Sequence, residues 1–253
     1  MVSVLDGHAG VNPAAPIARA NPVAKLAVSL VISLALLLSV DVTSAGVALA
    51  VELCALPWCG LTARALLRRG WIVLVGAVPA GVATAVFAAS ASPVTSGLAI
   101  ALRVMAIGLP GVVLLATTDP TDLADALGQK LRLPARFVLS ALAAMRLFGV
   151  LAEEWAALTM ARRARGIGGG GPVARLRDVG GRLFALLVLA IRRAGVLATT
   201  MESRGFGTDR PRTWARPSSV GAGDVVLVLA GLAVAAVAVW AAVVAGTWNP
   251  VFT

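Results

Sequence analysis

Arg165 and Arg204 stand 39 positions apart in closely matched settings, Ala161-Arg162-Arg163-Ala164-Arg165-Gly166 and Thr200-Met201-Glu202-Ser203-Arg204-Gly205-Phe206. Each stretch places a small residue, an arginine and a glycine in that order. A guanidinium is always charged and presents several donors in a fixed fork, so it can pin a helix end to backbone carbonyls or a carboxylate on another protein. A small neighbour, Ala164 or Ser203, lets such an end approach closely. A single occurrence would be plain capping, because arginine is favoured near a helix C-terminus and glycine just beyond it. Two matched ends suggest two equivalent docking surfaces on something two-fold. Phe206, following the second, either caps its helix or packs on the partner, and the second reading is preferred.

Other groups of chemically capable type do not assemble into a catalyst. Gly166, Gly168 and Gly171 match GxGxxG formally, but no strand precedes them and no acid follows at the expected place. No GxxxxGK[ST] is present, so a P-loop nucleotide site must come from another protein. Cys54 and Cys59 form no CxxC and His8 is the single histidine, which leaves neither a metal site nor a disulfide framework. Arg162, Arg163, Arg165, Arg192 and Arg193 offer a basic cluster for anionic lipid headgroups, the reading of a lipid-acting membrane enzyme. An enzyme acting there would still need paired carboxylates, a usable histidine or an activated nucleophile, and none is apparent. No cofactor is expected. Asp122 and Asp125 read as first-turn helix acids, and Glu153 and Glu154 as partners for Arg146 or Arg162.

The elements that must carry the two ends follow from composition. In 253 residues, 59% are apolar and 13% charged, with mean hydropathy +0.91. Typical globular chains are about 45–50% apolar and about 25% charged. That excludes a soluble enzyme, a disordered tail and a secreted disulfide scaffold, and indicates an all-α polytopic membrane protein. Five stretches approach the roughly 20 apolar residues that cross a bilayer: Leu26–Val40, Val42–Ala63, Trp71–Ala89, Gly97–Thr118 and Val225–Gly246. Lys25 is expected to snorkel from the start of the first. Glu52 and Arg103 lie inside the second and fourth, and are expected to pair with each other or with a polar group of the bundle.

Net charge is +10, and 16 of the 22 Lys/Arg with 8 of the 12 Asp/Glu fall between Asp119 and Pro217. Arg19 and Lys25 precede the first stretch, and Arg64, Arg68 and Arg69 follow the second. The turn at Asp41–Ser44, the segment Ser90–Ser96 and the tail after Gly246 hold no Lys or Arg. Five spans with a cytoplasmic N-terminus satisfy every loop, and the charged block is then cytoplasmic. Nucleic-acid binding is the weaker account of its basic character. Within the block, Thr121 is expected to cap a short helix. Pro134 then opens a helical pattern over Ala135–Arg165, about 45 Å long. Gly168–Gly171 breaks it, and a further pattern runs over Val173–Arg204. The uncharged run inside this last helix, Leu183–Ile191, is too short to span. The chain thus divides into membrane helices at 1–118, a cytoplasmic region with two long amphipathic helices at 119–217, and a last membrane helix at 218–253.

Arginine-glycine ends on two long cytoplasmic helices resemble the T component of energy-coupling factor transporters, the EcfT/BioN/CbiQ family. Asn21-Pro22-Val23-Ala24-Lys25-Leu26 is similar to the family's Pro-x-x-Lys-Leu lead-in to the first span. Thr117-Thr118-Asp119-Pro120 with Leu123-Ala124-Asp125-Ala126-Leu127 is similar to its Thr-Thr-x-Pro-x-x-Leu-x-x-Ala-Leu segment. Leu133-Pro134, Ala144-Met145-Arg146 and Glu154 also match, so the resemblance covers about Asn21 to Gly207. Ser203 departs from the family's usual alanine.

The resemblance implies a non-catalytic coupling subunit of a bacterial plasma-membrane importer. Its ATPase-docking residues would be Ala164, Arg165 and Gly166 on one tip and Ser203, Arg204 and Gly205 on the other, each tip seated on one ATPase of an ABC-type dimer. A separate small membrane protein, the S component, would capture a vitamin or a transition-metal ion and rest on the coupling helices. An ordinary importer permease lining its own substrate path is the competing transport reading.

Overall fold

The computed structural model describes residues 12, 14–39, 41–87, 92–166, 171–206 and 216–248. Nine helices and no β-strand occur among them: α1 Pro16–Arg19, α2 Pro22–Leu37, α3 Val42–Cys59, α4 Ala63–Phe87, α5 Pro93–Thr117, α6 Pro120–Lys130, α7 Ala135–Ala164, α8 Pro172–Ser203 and α9 Ala222–Val244. The protein is an all-α, multi-pass membrane protein. It divides into two compact units, one within residues 131–217 and one made of residues 6–130 with 218–253. The short helix α6 belongs with the second of these, whereas charge patterning groups it with the long pair.

The bundle unit alternates α2, α3, α4, α5 end over end, with α9 beside α2 and α3. Its core joins Ile32 and Leu36 of α2, Ala48 and Leu49 of α3, Ala106 of α5 and Ala238 of α9. Small residues set the packing distance, as expected where lipid removes the hydrophobic drive between helices. A Cβ on Gly81 would lie 2.8 Å from the carbonyl oxygen of Gly97, and one on Gly97 would lie 2.5 Å from that of Gly81. Backbone meets backbone there, which no side chain permits. Large apolar residues such as Ile72, Val86, Leu115 and Trp240 point outward instead.

Several boundaries move relative to the sequence reading. Helix α4 starts at Ala63, so Arg64, Arg68 and Arg69 ride on its first turns rather than in a loop. Helix α3 stops at Cys59, where Gly60 adopts φ +69°, three residues after Pro57. Asp119, not Thr121, caps α6: its carboxylate accepts the Thr121 N–H at 2.7 Å, and Pro120 takes the first helical position. The ends at Val40 and Ala89, with His8, Gly168 and Gly207, lie outside the described residues.

Among the described residues six helices are long and apolar enough to cross a membrane, where the sequence reading has five stretches. Helix α2 has 16 residues, below a full crossing, while α7 and α8 both qualify by length and composition. The reason is that a 32-residue helix holds a largely apolar window even though its uncharged run is short. Packing and charge still set the long pair apart. Helix α7 buries only Val138 and α8 buries nothing among the described residues.

Candidate functional site

Both arginine ends form, and they form alike. Helix α7 closes at Ala164 and α8 at Ser203, each followed by an arginine just outside the helix. Arg165 sits at φ −86°, ψ 10° and Arg204 at φ −89°, ψ 8°. The next residue is left-handed in each case, Gly166 at φ +69° and Gly205 at φ +76°. Glycine is needed at that conformation because a Cβ there crowds the carbonyl oxygen. The N–H of Gly166 reaches the carbonyl of Arg163 at 3.0 Å, and the N–H of Gly205 reaches that of Glu202 at 2.9 Å. At the second end the Phe206 N–H also returns to the Met201 carbonyl at 2.9 Å, completing a Schellman closure. The Phe206 side chain is half-buried there, and its backbone N–H takes part in the cap.

All six residues singled out, Ala164, Arg165, Gly166, Ser203, Arg204 and Gly205, are exposed. The departing Ser203 turns its hydroxyl back on its own helix, donating to the Thr200 carbonyl at 3.0 Å. An outer surface there presents little that alanine would not.

The long helices meet through polar groups. Arg162 of α7 and Asp178 of α8 pair at 2.8 Å, and Arg182 reaches the same carboxylate at 2.8 Å. Arg182 also donates to the Thr159 hydroxyl at 2.9 Å and lies 4.7 Å above the centre of the Trp155 ring. Arg193 pairs with Glu154 at 2.6 Å. The hydrogen bond from Arg162, with Arg182 alongside, holds the Asp178 carboxyl below its ordinary range. Because Glu154 meets Arg193 while Arg162 meets Asp178, the helices run in opposite senses at the contact. Arg165 and Arg204 therefore leave it in opposite directions. The sequence reading offered Arg146 or Arg162 as partners for Glu153 and Glu154; of these, Glu154 reaches across to Arg193 and Arg162 pairs with Asp178. It missed Asp178, Arg182, Thr159 and Trp155 as a group, although Asp178 and Arg182 are spaced i,i+4.

At one end of the bundle, two of the motif segments converge. Lys25 is 6% exposed. Its ammonium donates to the carbonyls of Ala18 at 2.9 Å and Thr117 at 3.0 Å and to the Thr117 hydroxyl at 3.2 Å. It does not snorkel, since those oxygens satisfy it in place. Beside it, the Asp224 carboxylate accepts the Asn21 N–H at 2.6 Å and the Gly221 N–H at 2.8 Å. Asn21 donates to the Ser218 hydroxyl at 2.8 Å, and the Ser218 N–H donates to Gln129 at 2.8 Å.

The charges inside the bundle do not pair with one another. Arg103 donates to the Leu36 carbonyl, whereas both Glu52 oxygens are buried with no hydrogen-bond partner. An apolar cleft between α3, α4 and α5, lined by Leu49, Leu66, Val73, Met105 and Leu109, offers no polar group to orient a solute. Among the described residues no cluster could hold a metal ion.

The chain matches the CbiQ family, described as cobalt transport protein, over residues 13–214. It is 32% identical over 150 residues to the energy-coupling factor transporter transmembrane protein EcfT of Limosilactobacillus fermentum, covering 53% of this chain and 56% of that one. Similar matches are the EcfT proteins of Exiguobacterium sibiricum, 35% identical over 122 residues (45% of this chain, 46% of that one), and Bacillus subtilis, 33% over 126 residues (46% and 48%). The chain spans about half the length of the curated relatives it matches. With four-fifths of its residues inside the family match, the chain belongs to the CbiQ family and is a transmembrane T component of the energy-coupling factor type.

Proposed function

We propose that this T component couples a cytoplasmic ATPase dimer to a separate substrate-binding S component during import of a vitamin or a transition-metal ion. The subunit itself catalyses nothing; nucleotide hydrolysis belongs to the ATPases. The observation that carries the reading is the equivalence of the two arginine ends. A two-fold ATPase dimer offers the same groove twice, and this chain offers the same helix closure twice. Ala164-Arg165-Gly166 seats on one ATPase and Ser203-Arg204-Gly205 on the other, with each guanidinium donating to carbonyls or a carboxylate in its groove. Exposed apolar residues along the pair, among them Phe148, Met160, Phe184 and Ile191, supply a greasy seat for the S component.

Arg19, Lys25, Arg64, Arg68 and Arg69 gather at the bundle end from which α6 departs, which supports a cytoplasmic N-terminus and a cytoplasmic long pair. The test is co-purification from membranes expressing the subunit with its ATPases. Arg165→Glu should remain membrane-inserted and lose ATPase recovery; full recovery of ATPases with that variant would overturn the docking role.

A further inference from the structure

Helices α7 and α8 lack an apolar core of their own, since α8 buries no residue and α7 buries only Val138, which lies far from the contact. Half-buried apolar residues such as Leu151, Leu158, Val179 and Leu186 line the two helices, but none is fully enclosed, so polar groups carry much of what fixes the crossing. Asp178 and Arg182, one turn apart on α8, grip three positions on one face of α7: Trp155, Thr159 and Arg162. Those positions are spaced i, i+4 and i+7, so a single helical stripe faces the grip. The carboxylate uses both oxygens, Oδ1 toward Arg162 and Oδ2 toward Arg182. Asp178 and Arg182 keep only 12% and 14% of their side-chain surface, so water screens the network little.

Gly181 makes room for it. A Cβ there would lie 3.1 Å from both terminal guanidinium nitrogens of Arg162. A glycine inside a helix is disfavoured relative to alanine. Here it lets the Arg162 fork lie flat across α8.

We propose that Asp178 is the pivot that makes α7 and α8 one lever, so that displacement of one arginine end moves the other. Asp178 and Arg182 are positioning residues and need touch neither ATPase nor substrate. With two guanidinium groups converging on one carboxylate from different helices, losing that carboxylate removes the anion between them and leaves like charges facing each other, although Arg182 keeps Thr159 and Trp155. Glu154 with Arg193 is the outer brace, more exposed and weaker. The transport consequence rests on the proposed coupling function, but the mechanical claim does not.

The test is made in a variant lacking Cys54 and Cys59, with spin labels at Arg163 and Glu202. In the subunit alone, in nanodiscs, the label-to-label distance should form one narrow distribution. Asp178→Asn should widen it, and Asp178→Glu should restore much of the narrow peak. In the full complex, Asp178→Asn should keep ATPase recovery and hydrolysis while transport per ATP falls about tenfold, a coupling loss within the usual range. Should Asp178→Asn express poorly, Arg182→Gln removes one arm of the network and should widen the distribution likewise. An unchanged distribution in both variants overturns the pivot, whatever happens with the ATPases. Failure of the parent subunit to recover ATPases overturns the docking reading instead.

Discussion

The ammonium of Lys25 lies 3.0 Å from the carbonyl oxygen of Thr117, closing a link between positions 92 apart in sequence. Residues 117 and 118 form the Thr-Thr motif and Lys25 belongs to the Pro-x-x-Lys-Leu motif, so two separate sequence signatures make one structural joint. A buried charge left without its acceptors, or acceptors left without their charge, carries the full desolvation cost.

Lys25→Ala should therefore destabilise the bundle by about 2 kcal/mol, in the range for hydrogen bonds to charged groups. The measurement is thermal unfolding in detergent. Lys25→Gln should recover part of the loss, because an amide still donates to the Thr117 carbonyl. A melting temperature unchanged by Lys25→Ala would remove the joint from the account.

The two ends should behave as equals. Arg165→Glu and Arg204→Glu should each lower ATPase co-purification by a similar factor, and the double variant should abolish it. A pull-down scored by ATPase per T component decides the matter. Strong loss from one variant with none from the other would contradict the matched geometry at φ −86° and φ −89°.

Gly166 and Gly205 are held at φ +69° and φ +76°. Replacing either by valine should strain the closure by about 1–2 kcal/mol and displace the preceding arginine. Asparagine, which tolerates the left-handed region, should be milder. ATPase recovery should fall in the order glycine, asparagine, valine, with membrane insertion unchanged. Equal recovery across the three would show that the closure geometry is immaterial.

Glu154 and Arg193 pair across the helices with about a third of each side chain exposed. Reversing one charge, Glu154→Arg, should set two arginines together and lower transport. The double reversal Glu154→Arg with Arg193→Glu should restore most of it, since the pair is reformed with opposite polarity. A transport assay in reconstituted vesicles reads this directly; a double variant no better than the single one would exclude the brace.

Close packing in the bundle predicts a different kind of failure. Gly81→Val places a branched side chain where the Gly97 carbonyl already sits 2.8 Å from an added Cβ. Helices α4 and α5 must separate, and the yield of monodisperse protein should drop sharply. Gly111, with nothing within 4 Å, should accept alanine with little change in yield.

Much of this protein is written locally. Apolar runs and the absence of arginine from alternate loops suffice for a membrane bundle, because the bilayer demands long helices and penalises charge. The arginine and glycine ends are legible for the same reason: helix closure is decided within a few residues, by φ at Gly166 and Gly205. What the sequence could not settle is everything that depends on which distant groups meet. Lys25 looks like a snorkelling end until Thr117 and Ala18 surround it. Glu52 and Arg103 read as partners of each other or of a polar group of the bundle until helix positions place Arg103 beside the Leu36 carbonyl and leave both buried Glu52 oxygens without a hydrogen bond. Asp178 looks like an ordinary helix acid until antiparallel pairing brings Arg162 to it. Helix formation and charge placement follow from neighbours along the chain. The partners of buried charges follow from which helix faces are pressed together, and only the tertiary structure decides that.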